Sequence, residues 1–462
     1  MLKSIRRLTV ILGHAVKAQH CSSMSLSDQD RPSLHVSPMV CMVDEPIHIR
    51  MSGLDSSQLV TFVLDLIEND TKFESRCLYK ADNNGIVDNC RTHSLEGSFT
   101  GVEQMGLFWS LKSVGGGDLV RLVKKDVTQP MVFSIKVLPG NQVQPASTDL
   151  LPLAETKVQR LFMRPGVRRI RLTGQIKGTV FVPQGEGPFP GLVDMFGGLV
   201  SQIETRAALL ASHGYATLSL SYLYGEGLPT MLMGADINYI QKSFEWLSEQ
   251  EYVDEARLGV IGLCFGGHLG LRLATLSSQV KVVVNINGVP IISSFENLNS
   301  SFEGSTDWSD KVYTTEEGVV INQVFDCFSP ILIPVCCVAL FPCLLQAWQH
   351  GARLLVIVGE DDKQVHPKWH TYLENHIPDQ YRHNLQVFRY EGAGHLIEPP
   401  FMPHIRTVAP GRKRMLTVDF IPEKFKDEKM MAGGYPKPHA DAQEHSWKTI
   451  LEFLEANLKS LR

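Results

Sequence analysis

Between residues 35 and 140 apolar and polar positions alternate in short runs. Ile47 to Met51, Val60 to Leu64, Ser98 to Val102 and Met131 to Val137 each read as a half-buried strand, and turns such as Asp82-Asn83-Asn84-Gly85 punctuate them. Several short strands at this spacing over about 100 residues predict a β-sandwich. A stretch without periodicity, Asn141 to Asp149, serves as a linker. From about Arg164 the pattern changes to continuous apolar runs separated by helical periodicity. Val167 to Leu172 and Ile176 to Val182 predict a hairpin. Further strands are expected at Gly191 to Phe196, Ala216 to Leu220, Val282 to Ile286, Leu354 to Val358 and Leu385 to Phe388. Helices are expected around Ala207 to Leu210, over Ile237 to Ser248 and over Gln443 to Leu458. Apolar strands alternating with helices make a mostly parallel sheet with helices on both faces. The domains expected are a leader over 1–33, a β-sandwich over 34–163 and an α/β domain over 164–462.

The stretch Leu258 to His268 (LGVIGLCFGGH) organises the second domain. It is an apolar strand, a turn with Cys264 at its apex, and a helix from about Gly266 to Leu276. This is the nucleophile elbow of an α/β-hydrolase, G-x-C-x-G in place of G-x-S-x-G. The flanking glycines let strand and helix close on a strained apex, and the sulfur stands at a helix N-terminus, which favours a thiolate. A lone cysteine is ordinarily structural, so partners are needed. In the chain order of this fold an acid and then a histidine follow the nucleophile. The strand to Val358 runs into Gly359-Glu360-Asp361-Asp362, and the strand to Phe388 leads to Glu391-Gly392-Ala393-Gly394-His395. Strand C-termini share one edge of such a sheet, so both loops converge on the elbow. His395 is the expected base and Asp362 its orienting acid, with Asp361 the fallback. His268, on the elbow helix, points the wrong way to serve. The oxyanion donors expected are the backbone N–H of Phe265 and of the Phe196–Gly197 segment.

Composition narrows the picture. Of 462 residues, 44% are apolar and 20% charged, as in a soluble globular protein, and the net charge of −5 argues against a nucleic-acid partner. Nine cysteines, without metal-finger spacing, argue against a disulfide framework and favour a reducing compartment. No cofactor and no metal are implied. Residues 1 to 27 carry Lys3, Arg6, Arg7 and Lys17, no acid, and apolar residues able to share one helical side. A Ser-rich patch follows. That is the pattern of a mitochondrial transit peptide, which points to the matrix, with the cytosol as alternative. The terminal Ser460-Leu461-Arg462 lacks the Ser-Lys-Leu order of a peroxisomal address. Pro330 to Leu345 is an uncharged run of sixteen residues. It falls short of the roughly 20 needed to span a membrane and contains prolines, which leaves a lid or pocket wall, buried filler or a mis-spliced segment. A monomer without stable membrane insertion is expected.

At this point the chain resembles the acyl-CoA thioesterase and bile acid-CoA:amino acid N-acyltransferase family. The likeness runs from about Val43 to the C-terminus through Asp44 to Arg50 (DEPIHIR), Met105 to Leu111 (MGLFWSL), Arg121 to Val127 (RLVKKDV), Gly187 to Gly191 (GPFPG), Gly394 to Pro400 (GHLIEPP) and His439 to Gln443 (HADAQ). The resemblance implies an N-terminal β-sandwich before an α/β-hydrolase domain, and carries the family's triad onto Cys264, Asp362 and His395. It also implies an acyl-CoA substrate. Members with serine at the elbow look like hydrolases and the bile acid conjugating members carry cysteine, so glycine or taurine enters as a candidate acceptor. Expected first is hydrolysis of fatty acyl-CoA through acyl-Cys264. Transfer of the acyl group to an amino acid is the alternative, and an inactive binding protein on this fold is a weaker third.

Overall fold

A computed structural model describes residues 31–115, 120–144, 150–198, 202–230, 232–291, 312–323, 344–408 and 428–460. The leader before residue 31, and nearly all of the apolar run from Pro330, lie outside these residues.

The N-terminal part is built from two sheets. A three-stranded sheet comprises Ser33–Ser37, His48–Ser52 and Val87–Asp88. A seven-stranded sheet is centred on the long hairpin Leu59–Glu68 and Thr71–Lys80, with Met131–Pro139 and Ala154–Leu161 continuing it. Ile47, Ile49 and Met51 from one sheet share a core with Phe62, Leu64, Phe133 and Ile135 from the other. The inward residues recur at every second position, as the strand period requires. The expected turn is present: Asp82 Oδ1 accepts from the N–H groups of Asn84 (2.8 Å) and Ile86 (2.9 Å). One expectation is corrected. Ser98 to Val102 is not a strand; the strand is Ser94–Gly97, and only Gly101 bridges back to it. Phe99 sits just past that strand, buried against Trp109, so its apolar character reflects packing rather than a ladder.

The second part holds an eight-stranded sheet, whose strands are numbered here β1 (Arg168–Leu172), β2 (Gly178–Val182), β3 (Phe189–Met195), β4 (Ala216–Leu220), β5 (Val253–Leu263), β6 (Val280–Ile286), β7 (Arg353–Gly359) and β8 (Leu385–Tyr390). Their spatial order is β1-β2-β4-β3-β5-β6-β7-β8. The first three are antiparallel neighbours and the pairs from β4 to β8 are parallel. Along β5 the side chains alternate: Leu258 and Val260 join one core, Ile261 and Leu263 the other. Helices α1 (Thr205–Ser212) and α5 (Pro436–Leu454) cover one face; α2 (Ile237–Ser248), α3 (Phe265–Leu276) and α4 (Lys368–His376) cover the other. This is the α/β-hydrolase architecture, with the β-sandwich packed into the same core as α1 and α5. Asp44 ties the two parts together, accepting from Trp447 Nε1 at 2.9 Å and His213 Nε2 at 2.6 Å.

Helix α5 begins at Pro436, two turns before the expected Gln443. Pro436 occupies the first helical position, where its missing N–H and fixed φ cost nothing. Helix α4 and a small four-stranded sheet (Tyr313–Thr315, Gly318–Val320, Met430–Met431, Thr407–Val408) were not anticipated. The sheet backs onto the acid loop, through Ile321 N–H to Lys363 O and the Asp362–Gly433 bridge. Among the described residues no helix is long and apolar enough to cross a membrane.

Candidate active site

The elbow forms where β5 gives way to α3. Cys264 has φ 58° and ψ −125°, a conformation that L residues avoid. Backbone bonds hold it there. Its N–H donates to Ile286 O at 2.8 Å, and its carbonyl accepts from Gly267 N (3.0 Å) and His268 N (3.1 Å). The turn closes only because neighbouring positions lack a Cβ: one added at Gly266 would lie 2.3 Å from Met195 O, and one at Gly262 would lie 2.2 Å from the Gly266 carbonyl. The thiol is half-buried and free of any disulfide. Strain at one side chain, over-determined by its surroundings, is how a nucleophile is presented clear of the sheet edge.

His395 and Asp362 reach the same edge from the ends of β8 and β7, both almost wholly buried. Asp362 Oδ1 accepts from the backbone N–H groups of Gln364 (2.7 Å) and Val365 (2.9 Å). Its other oxygen, Oδ2, lies 2.7 Å from His395 Nδ1. A carboxylate fixed in this way makes Nδ1 the donor and leaves Nε2 for chemistry. Among the described residues the buried Nε2 has no hydrogen-bond partner within normal geometry. Burial alone would push the His395 ring neutral. The Asp362 carboxylate and then the Cys264 sulfur outweigh it, and the ring is raised to about 10. The buried carboxylate beside the ring is what most favours its protonated form.

Of the two acids, Asp362 is the one that faces His395. Asp361 turns the other way, with Lys363 Nζ at 2.6 Å and the Gly434 N–H at 2.8 Å. Burial would raise its carboxyl, but Lys363, that N–H and Arg406 hold it below the usual range. His268, within α3, is buried and stacked on Phe265, with Nδ1 2.9 Å from Val289 O.

The segment after β3 runs close to the elbow. A Cβ on Gly197 would stand 3.2 Å from Cys264 Cβ and 3.5 Å from Sγ, so the loop after β3 passes directly over the nucleophile. Phe265 is the first residue of α3, and the first N–H groups of a helix have no intrahelical partner. Gly197→Ala is therefore expected to crowd the sulfur and cost about 10²-fold in kcat/KM, while leaving the unfolding midpoint near that of the parent. Steady-state kinetics alongside thermal denaturation check it.

Two further residues escaped the sequence. Asn287, fully buried just past β6, stitches the histidine and acid loops together. Its Nδ2 donates to the carbonyls of His395 (2.8 Å) and Gly394 (3.1 Å), and its Oδ1 accepts from Gly359 N–H at 2.8 Å. The available signal was a polar residue at a strand's C-terminal end, on the functional edge of the sheet. Asn287→Ala strands three buried backbone groups and is expected to cost about 3 kcal/mol or more in urea unfolding. Arg121, from the β-sandwich part, places its guanidinium 5.3 Å from the centre of the Phe196 ring and pairs with Glu398 on the histidine loop. No local pattern announces a contact between residues so far apart in the chain.

Comparison with known proteins agrees with this architecture. Residues 44–174 match the model of the acyl-CoA thioester hydrolase/BAAT N-terminal region, and residues 235–460 match that of the BAAT/acyl-CoA thioester hydrolase C-terminal domain. The chain is 34% identical to the human bile acid-CoA:amino acid N-acyltransferase, over 92% of this chain and 97% of that protein. It is 34% identical to mouse acyl-coenzyme A amino acid N-acyltransferase 2, over 92% and 97% respectively. It is 30% identical to the mouse peroxisomal succinyl-coenzyme A thioesterase, over 90% and 94%. Elbow, acid loop and histidine loop thus sit in a chain whose relatives match it almost end to end, and this protein belongs to the acyl-CoA thioester hydrolase and bile acid-CoA:amino acid N-acyltransferase family.

Proposed function

We propose that Cys264 takes the acyl group from an acyl-CoA thioester and releases CoA, with His395 as the base and Asp362 as the residue that orients it. The carrying observation is the strained, half-buried thiol at the elbow, beside an imidazole whose far nitrogen is held 2.7 Å from a buried carboxylate. The His395 and Cys264 side chains form a thiolate–imidazolium pair. The thiolate attacks the thioester carbon, and backbone N–H groups of Phe265 and the Phe196–Gly197 loop hold the resulting oxyanion. The C–S bond to CoA then breaks, and His395 returns its proton to the departing thiolate of CoA. In the second half His395 draws a proton from the incoming acceptor, and collapse frees the Cys264 thiolate.

With water as the acceptor the product is a fatty acid. This first reading needs no second substrate site. With an amino acid amine as the acceptor, glycine or taurine by analogy with the relatives, the product is an amide. Two observations favour that second reading: sulfur at the elbow, since amines discriminate well against water in attacking a thioester, and the N-acyltransferases among the relatives at 34% identity. Incubating the full-length protein with a fatty acyl-CoA panel, with and without glycine or taurine, separates them by product. Free acid alone supports hydrolysis and N-acyl amino acid supports transfer. An absence of CoA release from every acyl-CoA contradicts both and leaves a binding protein.

The protein acts in fatty acid and acyl-CoA metabolism as a monomer in the mitochondrial matrix. The basic, acid-free leader supports this location. A reporter fused to residues 1–33 is expected to enter mitochondria; a diffuse cytosolic reporter contradicts it.

A further inference from the structure

We infer that Tyr222 is a positioning residue that locks the Phe196–Gly197 peptide with its N–H turned toward the developing oxyanion. This rests on the acyl-Cys264 mechanism proposed above. The observation behind it is how fully the carbonyls of this loop are occupied. Arg206, buried and ion-paired with Asp194 (Nε to Oδ1 2.9 Å), also donates to the Met195 carbonyl at 3.1 Å. The Tyr222 hydroxyl donates to the Phe196 carbonyl, and the Tyr224 hydroxyl donates to the Gly198 carbonyl at 2.7 Å. The register explains why tyrosines can do this. β3 and β4 run parallel with Asp194 level with Ser219, so residues just beyond the two strand ends are neighbours.

A trans peptide points its C=O and its N–H in opposite directions. Holding the Phe196 carbonyl on the tyrosine side therefore fixes the Gly197 N–H on the other. Gly197 is the residue whose missing side chain opens onto the Cys264 sulfur. Were this peptide to flip, a carbonyl oxygen would replace the donor and face the oxyanion with like charge. Glycine gives little resistance to such a flip, so the restraint must come from outside the loop. Tyr222 supplies it. The residue is almost fully buried, its ring centre is 6.2 Å from that of Phe265, and its single hydroxyl proton is already committed. It acts through the loop and does not itself donate to the substrate oxygen. Tyr224 is held in a left-handed conformation, φ 56°, with its own N–H bonded to Pro229 O at 2.8 Å. The second restraint is thus itself built on a strained turn.

The test uses the full-length protein and Tyr222→Phe, which keeps the ring and loses one oxygen. Rapid mixing with acyl-CoA under single-turnover conditions is expected to show acylation slowed about 10- to 100-fold. Affinity for a CoA trifluoromethyl ketone, which adds to the thiol as a tetrahedral oxyanion, is expected to fall by the same factor. Affinity for the unreactive CoA thioether stays at the parental value, and the thermal midpoint falls only by the loss of one hydrogen bond. Tyr224→Phe shows the same split with a smaller loss. Acylation of Tyr222→Phe at the parental rate overturns the assignment. So does a loss that appears equally in thioether binding and in thermal stability, since that marks a packing role alone. Failure of the parent itself to form an acyl adduct overturns the acyl-Cys264 mechanism as well, which distinguishes the two failures.

Discussion

Cys264→Ala is expected to release CoA from acyl-CoA about 10⁴- to 10⁶-fold more slowly than the parent, with unfolding behaviour little changed. The size follows from the role. Without the sulfur no acyl-enzyme forms, and the base and oxyanion donors are left to direct water onto a thioester they were not arranged to hydrolyse. The fold is spared because the φ of 58° at this position is imposed by backbone bonds to Ile286, Gly267 and His268, none of which uses the thiol. Cys264→Ser keeps a nucleophile but changes its acyl derivative from thioester to ester, which amines attack less readily relative to water. Its residual activity is expected to carry a higher ratio of acid to amide than the parent when glycine or taurine is supplied. An unchanged ratio contradicts the role of sulfur in choosing the acceptor. Initial rates by CoA release, and products by mass spectrometry, read both variants.

Asp362→Asn is expected to lose about 10⁴-fold in kcat, because an amide at Oδ2 no longer dictates that Nδ1 carries the proton. The backbone N–H groups of Gln364 and Val365 still find an oxygen, so the loop holds its shape. The distinguishing readout is pH. In the parent His395 is raised from 6.5 to about 10, with burial opposing and the Asp362 and Cys264 charges outweighing it. In the window between those values the folded His395 ring holds a proton that the unfolded ring does not. The stabilisation from this site is thus complete below about 6.5 and fades as pH climbs through about 10. Urea unfolding of Cys264→Ala, in which no thiol can supply the ring's proton, is expected to show stability falling across the range in which His395 is raised, and Cys264→Ala combined with Asp362→Asn a shallower fall. Equal slopes in the two proteins contradict a charged pair. A substitution at Asp361 leaves this behaviour intact, since its oxygens are taken by Lys363, Arg406 and the Gly434 N–H.

Residues close together in sequence announced the chemistry, and residues brought together by folding did not. The elbow is legible because strand, strained apex and helix lie within eleven consecutive positions, Leu258 to His268, and each glycine there answers a local steric demand. Asp362 and His395 are legible because each follows an apolar strand whose direction in a parallel sheet is fixed, so both loops had to reach the same edge. Asn287 and Tyr222 follow strands in the same way. What separates them from the solvated turn residues nearby is whose backbone they bond, and that depends on packing between loops more than twenty residues apart. Arg121 reaches the site only because the β-sandwich docks against the hydrolase sheet, a fact without a local trace. Element ends went astray where one cue served two structures. Pro436-Lys437-Pro438 reads as a helix breaker, yet both prolines lie in the first turn of α5. Ser98 to Val102 alternates like a strand, though Phe99 is buried by Trp109 instead.

The most direct measurement is the intact mass of the full-length protein, quenched in acid within milliseconds of mixing with one equivalent of a long-chain acyl-CoA, followed by peptide mapping. A covalent acyl-enzyme predicts a mass increase of one acyl group on the peptide bearing Cys264, decaying as free acid or amide accumulates, and absent from Cys264→Ala. CoA released at full rate with the peptide of Cys264 unmodified at every time point contradicts it.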